Sequence, residues 1–381
     1  MTDLAIGLVN KGLDVIVYAG YPSYWGVQQK SQKNEKFNGV TINRIFHIRS
    51  DTRTKFGSIL IAVSFFLFTV IKLLVSSEKR LYLFVTTPPF LPFAGYLQKK
   101  IRKQPYIIIV HDIHPEIAIK IHYMNAGIIS KIWDILNNLV YNNADSIIVL
   151  GKCMETKITD KYPQISNRIH VIQNWEDPDF IRPMLKDQNK FSRENNLLEK
   201  FVITYSGNMG INHNLEIVID AAKIINNPDI DFIFFGEGSQ KRKLIDLCQA
   251  SSLSNVRFFD FQPLDNLPYT MTCGDAIIIS QEKGTEGLCV SSKFYTALAA
   301  GKPVIAIIGE DSEIAETINQ FKCGVVISNY NPETLAKSIL ELQSDMVLCQ
   351  TLGDNARIAF EHEFTLEIAL KKYYTIVNDV I

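Results

Sequence analysis

Residues 281–307 read QEKGTEGLCVSSKFYTALAAGKPVIAI, and this stretch decides the architecture. A loop carrying Gly284 and Gly287 comes first. A run of helical composition follows over 293–300, then a Gly-Lys-Pro turn into an apolar strand at 304–308. A loop at the C-terminal end of one strand that opens a helix builds a pocket in an open α/β sheet, and helix-start N–H groups can hold an anion there.

Working outward, the same alternation fills the C-terminal half. FVITYSGNMG (201–210) is a strand with a Gly turn, and NLEIVIDAAKII (214–225) has apolar positions at helical spacing. DFIFFGEG (231–238), VRFFDF (256–261), DAIIIS (275–280) and GVVIS (324–328) are strands, with helices between them. The N-terminal half repeats the pattern: strands at 14–20, 39–48, 80–87, 105–112 and 145–151, helices at 56–75, 91–103, 127–142 and 152–162. Short apolar strands alternating with helices predict parallel sheets covered on both faces. The fold class is therefore α/β, with two facing doubly wound, Rossmann-like domains and a cleft between them. Pro178, Pro183 and the polar run 186–200 read as the linker, dividing the chain into domains at 1–185 and 186–355. Residues 2–13 read as the second half of an amphipathic helix and 14–19 as the strand after it. A domain of this kind opens with a strand before that helix, so either this one begins unusually or its first strand and loop lie outside the sequence.

Bulk properties bound the function. The chain has 381 residues, enough for about two domains. It is 47% hydrophobic and 21% charged, the composition of a globular protein. A net charge of −1 gives no electrostatic ground for binding nucleic acid. Six scattered cysteines without a C-x-x-C pair argue for a reducing compartment and against a zinc site. No secretory signal opens the sequence, and a cytoplasmic location is expected. Residues 56–75 are the most apolar run and carry no charge before Lys72. About 20 apolar residues span a bilayer. The first reading is a buried helix covering the sheet; the second is a helix dipping into the membrane interface. Lys55, Ser58, Thr69, Lys72 and Ser76 share one narrow face on a helical wheel.

Three loops at strand ends converge in the C-terminal half: 207–213, 236–239 and 283–293. Gly207, Asn208, His213, Gly236, Glu237, Gly238 and Gly287 are the candidate binders of a diphosphate, with Ser292 at the following helix start and Thr296 within that helix as further donor-binding candidates. Lys293 is the candidate cation for a departing phosphate. Glu286 is a candidate acceptor for sugar or ribose hydroxyls. His111 and Asp112 end an apolar strand and face the cleft in this layout, with His114 as a weaker neighbour. Asp177-Pro-Asp179 and Asp229-Ile-Asp231 have the look of a metal pair but lie away from the predicted site, and no metal or other cofactor is expected.

YSGNMGINHNLEIVIDAA (205–222), FFGEGSQKRKL (234–244) and SSKFYTALAAGKPVIAI (291–307) resemble glycosyltransferase family 4, of the GT-B fold, and most closely its bacterial members of the fucosamine and colanic-acid type. The resemblance implies retaining transfer of a sugar from a UDP- or GDP-linked donor held by the C-terminal domain. It implies a glycan or polyprenyl-linked acceptor on the N-terminal one, in surface polysaccharide synthesis such as lipopolysaccharide or capsule, at the cytoplasmic face of the inner membrane. It implies that the last helix, 356–381, crosses back to the first domain. The family's paired glutamates, eight positions apart, fall here on Leu288 and Thr296, and the basic residues that grip the diphosphate fall on Asn208 and His213. Two rival readings stand beside it: a nucleotide-sugar epimerase or phosphorylase of the same architecture, and a partner subunit that keeps the fold without the chemistry.

Overall fold

Apolar runs of four to six residues lie side by side as strands in the computed structural model, which describes residues 1–21, 23–24, 27–28, 32–50, 54–76 and 78–381. In the N-terminal half, β1 (Ile16–Ala19), β2 (Asn34–Phe37) and β3 (Val40–Arg44) form one sheet in the order β1-β3-β2. A second sheet, β4-β5-β6-β7, takes Tyr82–Val85, Tyr106–Val110, Ser146–Val149 and Ile169–Val171, all parallel. The single covered sheet expected here is thus in two pieces, with β1 and β4 at the facing edges.

The C-terminal half holds β8 (Phe201–Ser206), β9 (Ile230–Phe235), β10 (Val256–Phe259), β11 (Ala276–Ser280), β12 (Val304–Ile307) and β13 (Gly324–Val326). All are parallel, in the order β10-β9-β8-β11-β12-β13. Every residue of β9, β11 and β12 is buried, as strands covered on both faces require. The strand order reverses between β8 and β11, and a crevice opens outside their C-terminal ends at such a reversal.

Helices α1 (Thr2–Asn10), α2 (Lys55–Val75), α3 (Ile128–Asn143) and α4 (Lys152–Lys161) belong to the N-terminal half; α5 (Lys293–Ala299) and α6 (Glu313–Phe321) belong to the C-terminal half. The final helix, α7 (Leu366–Val380), buries Ala369, Leu370, Tyr373 and Ile376 against Leu4 and Leu8 of α1 and against Ile107, Ile109 and Ile148 of the N-terminal sheet. The helix before it, Met346–Glu363, packs Ala356, Ala359 and Phe360 on the C-terminal domain. The chain therefore crosses twice between domains, and the crossings are zipped together: Glu176 N–H donates to the Phe364 carbonyl and Leu366 N–H to the Glu176 carbonyl, both at 3.1 Å.

Two local expectations change. The polar run 186–200 is folded onto the C-terminal domain instead of spanning freely between domains. Asn189 is fully buried, caps Lys190–Glu194 by accepting from Ser192 N–H, and donates to the Tyr269 carbonyl at 2.8 Å and Thr272 Oγ1 at 2.9 Å. Asn189 and Ser192 are buried there and tie the run down, while Asp187, Gln188, Lys190, Arg193, Glu194, Asn196 and Glu199 stay exposed to water. The helix α2 is not the buried cover expected. Only 22% of its apolar window is buried. Phe56 (76% exposed), Ile59, Val63, Leu67, Ile71 and Val75 (77%) face outward, while Ser64 and Thr69 are buried. Ser64 Oγ accepts from Ile48 N–H at 3.0 Å, and Thr69 Oγ1 donates to the Phe65 carbonyl at 2.7 Å. The polar atoms on the inner face are satisfied locally, which leaves the helix free to present its apolar side outward.

Candidate active site

The crevice beyond β8 and β11 is built by close approach of glycine loops. A Cβ on Gly236 would sit 2.1 Å from the Gly207 carbonyl oxygen, and one on Gly238 2.3 Å from that of Met209; both residues hold a positive φ. No other residue fits at either place. Met209 N–H donates to the Glu237 carbonyl at 2.7 Å, and Gln240 N–H to the Met209 carbonyl at 2.9 Å, so the loops after β8 and β9 brace one another.

Lys293 lies across Gly207. A Cβ there would come within 2.1 Å of Lys293 Cε, so the glycine makes room for the lysine stem. Lys293 Nζ donates to His213 Nε2 at 3.3 Å and stands 5.2 Å from the centroid of the Tyr205 ring. His213 in turn donates from Nδ1 to the Ser280 carbonyl at 3.0 Å. That bond places the proton on Nδ1 and leaves Nε2 as the acceptor. Burial, followed by the Lys293 charge, lowers the His213 pKa to about 4, so the ring is neutral at pH 7. Burial lowers the Lys293 pKa to about 8. Among the described residues no carboxylate pairs with Lys293; its neighbours are a neutral imidazole and a phenol ring. Withdrawing an ammonium from water without an opposite charge beside it disfavours its charged form.

The other candidates fall in different places. Phe294 and Tyr295 N–H groups are taken by the Ser291 and Ser292 carbonyls at 3.2 Å, so the first turn of α5 does not offer them to an anion, and Ser292 itself is exposed. Gly287 is turned to the other domain: its Cβ position lies 3.0 Å from Cys153 backbone and 2.8 Å from Lys157 Cε. Its backbone freedom serves domain contact, not an open phosphate cradle. Glu286 also departs from the expectation. Its Oε1 accepts from Gly309 N–H and from Tyr330 Oη, both at 3.2 Å, which pins the loop to its own domain. Glu237 pairs with Lys241 at 2.6 Å instead of facing the crevice. Asn208 is exposed at the loop tip, its carbonyl accepting from Tyr205 Oη at 2.6 Å. His114 stacks on Trp133 (5.4 Å between centroids, 16° between planes), inside the N-terminal domain, with its pKa pushed down to about 4 by burial. Of the two Asp pairs, Asp231 is bound to Arg257 at 2.5 Å and Asp177 accepts from Asp179 N–H at 2.8 Å.

His111 and Asp112 do reach the cleft. Asp112 forms a β-bridge with Cys289, and Ile113 N–H donates to the Leu288 carbonyl at 2.8 Å, so the end of β5 is stitched to the loop between β11 and α5. Burial raises the Asp112 pKa; burial and the chain amine lower that of His111.

Two carboxylates not singled out from the sequence hold the cleft closed. Thr296 donates from Oγ1 to Glu176 Oε2 at 3.0 Å, and burial raises the Glu176 pKa. Glu313 reaches across from α6: its Oε1 accepts from Met154 N–H at 3.0 Å at the start of α4, where Gly151 supplies no capping side chain. The signal for Glu313 was a Gly at a helix start with an unmatched carboxylate elsewhere, a pairing that becomes visible only once the domains are placed.

Two doubly wound domains, with a buried lysine at the strand-order reversal of the second and a stitched cleft between them, define the GT-B class. Residues 1–180 match the family described as Glycosyltransferase Family 4, and residues 187–359 the one described as Glycosyl transferases group 1. The matches together take in nearly the whole chain, which belongs to these glycosyltransferases. It is 26% identical over 288 residues to the probable glycosyltransferase WbjE of Pseudomonas aeruginosa, covering 72% of this chain and 68% of that one. It is 26% identical over 241 residues to the putative colanic acid biosynthesis glycosyl transferase WcaI of Escherichia coli, covering 63% and 58%. The fold is shared with sucrose-phosphate synthase of Thermosynechococcus elongatus (TM-score 0.79, 14% identity, 99% of this chain and 91% of that one). It is also shared with Alr3699/HepE of Anabaena, solved with UDP-glucose (TM-score 0.71, 16% identity, 90% and 87%).

Proposed function

We propose that the protein moves a sugar, with retention of anomeric configuration, from a nucleotide diphosphate sugar to a glycan or lipid-linked acceptor in bacterial surface polysaccharide synthesis. The observation that carries the reading is the Lys293 ammonium, set over Gly207 at the β8/β11 reversal with no carboxylate beside it among the described residues. A diphosphate seated there gains from the lysine as charge develops on the leaving oxygen. The bond from the anomeric carbon to the phosphate oxygen breaks, the acceptor oxygen bonds to the same face, and the acceptor proton passes to the departing phosphate. His111, neutral at pH 7, and Asp112 line the acceptor side and orient hydroxyls. The group leaves as a nucleoside diphosphate, and the proposal needs no metal. The outward apolar face of α2, with Lys72 beside it, and the exposed Ile128, Ile132 and Ile135 of α3 support peripheral attachment to the inner membrane from the cytoplasm.

The test is incubation with UDP- and GDP-sugars in chelator, with and without lipid-linked acceptors, followed by assignment of the product anomer by NMR. Retained configuration with release of UDP or GDP supports the reading. An inverted linkage, or an epimerised sugar released without acceptor, overturns it.

A further inference from the structure

Helix α5 is short and rigid, with Lys293 at one end and Ala299 at the other, about 9 Å apart at 1.5 Å per residue. Its buried side chains Phe294, Tyr295, Ala297 and Leu298 share a core with Ala356, Ala359 and Phe360 of the helix Met346–Glu363. Apolar contact is non-directional. It holds the two helices together but does not fix how far one stands along the other. Directional bonds must do that, and the C-terminal end of α5 receives them from Arg357. Nη1 donates to the Ala299 carbonyl at 2.7 Å and to the Ile181 carbonyl at 3.0 Å, and Nη2 to the Pro178 carbonyl at 3.3 Å. Nε pairs with Glu361 at 2.7 Å, and the side chain is only 18% exposed. One guanidinium thus joins the end of α5, the segment that follows the first crossing between domains, and the helix that leads to the second. A cation on the last carbonyls of a helix also meets the favourable end of its dipole. Nearer its start, α5 is tied to the first crossing again: the Asn174 backbone bonds to the Tyr295 hydroxyl, and Thr296 donates to Glu176 at 3.0 Å.

We propose that Arg357 is a positioning residue for sugar transfer: it fixes α5 lengthwise against both crossings, and through α5 it holds Lys293 over Gly207. This role presupposes the donor seat proposed above at Lys293. Arg357 itself touches neither Lys293 nor the glycine loops. Its effect is felt there because the lysine stem runs through a space only a glycine leaves, with Cε 2.1 Å from where a Cβ of Gly207 would stand. A misplacement of about 1 Å, caused by a residue far from the chemistry, can cost about 100-fold in rate. A lysine at 357 would bring the charge but not the planar fork that reaches three carbonyls at once.

The test compares the wild type with Arg357→Met and Arg357→Lys. Lysine labelled with carbon-13 at Cε reads the titration of Lys293 by NMR without nucleotide, its signal assigned by its loss in Lys293→Met. Steady-state kinetics with a UDP- or GDP-linked sugar read KM and kcat. In Arg357→Met the Lys293 pKa is expected to move up from about 8 toward the ordinary lysine range as the ammonium leaves its buried place. Donor KM is expected to rise about tenfold, and Arg357→Lys to recover part of both changes. A wild-type titration in Arg357→Met, with only the Tm lowered, would make Arg357 a purely structural residue and overturn the proposal. If Arg357→Met does not fold, Arg357→Lys decides: a Lys293 pKa shifted part of the way supports the role, and an unmoved one overturns it. The titration needs no nucleotide, so a wild type that binds neither UDP nor GDP would sink the donor reading while the lysine signal still decides what Arg357 does.

Discussion

At Lys293 burial holds the ammonium's pKa down, and the face of the Tyr205 ring stands 5.2 Å from it. The free-site pKa of about 8 sets a pH window. A bound diphosphate raises that pKa, so nucleotide affinity is greatest below pH 8 and declines as pH climbs through and past it; titration of UDP or GDP by calorimetry from pH 7 to 9.5 reads the slope, which Lys293→Met abolishes. His213→Phe removes the acceptor that positions the ammonium. The expected loss is about fivefold in kcat/KM, from one hydrogen bond of about 1 kcal/mol, with the fold intact by circular dichroism. Gly207→Ala places a methyl where Lys293 Cε now lies and forces an alanine to φ +138. Nucleotide binding should fall at least as far as in Lys293→Met, with a lowered Tm as well.

Among the elements, the strands of the C-terminal half were legible in the sequence because each is a short apolar run ended by Gly or a polar turn, and β9, β11 and β12 appear close to where those runs lie. The loop carrying Lys293 was legible for the same reason. What escaped was direction. The wheel of α2 put Thr69 and Lys72 on one face, yet Thr69 is buried and Lys72 exposed, because local bonds to Phe65 and Ile48 satisfy the inner polar atoms. Glu286 escaped likewise: nearness to the loop in sequence could not show that Gly309 and Tyr330 would claim its carboxylate. The exposed face of α2 makes its own prediction. Replacing Ile59, Val63 and Ile71 by serine should abolish co-sedimentation with anionic vesicles and leave the Tm within a few degrees, since these side chains are already outside the core; a sharply lower Tm would mean that the face is packed in solution.

Across the whole molecule, the two domains are held by contacts that no single domain's sequence reveals. Glu313 caps α4 from across the cleft, Glu176 takes the Thr296 hydroxyl, and α7 returns to the first domain. A charged cap at a helix start contributes about 0.5–2 kcal/mol. Glu313→Ala should therefore open the cleft measurably, seen as a larger radius of gyration in small-angle scattering and a raised KM for donor, with each domain's own fold unaffected. An unchanged radius of gyration would show that closure does not depend on this cap. Sugar transfer as proposed requires the donor diphosphate to meet Lys293, and the most direct test is the melting temperature of the wild type and of Lys293→Met with UDP or GDP in chelator. One of these nucleotides is expected to raise the Tm of the wild type and leave that of the variant unmoved; an equal rise in both proteins, or none in the wild type, would contradict this role of Lys293.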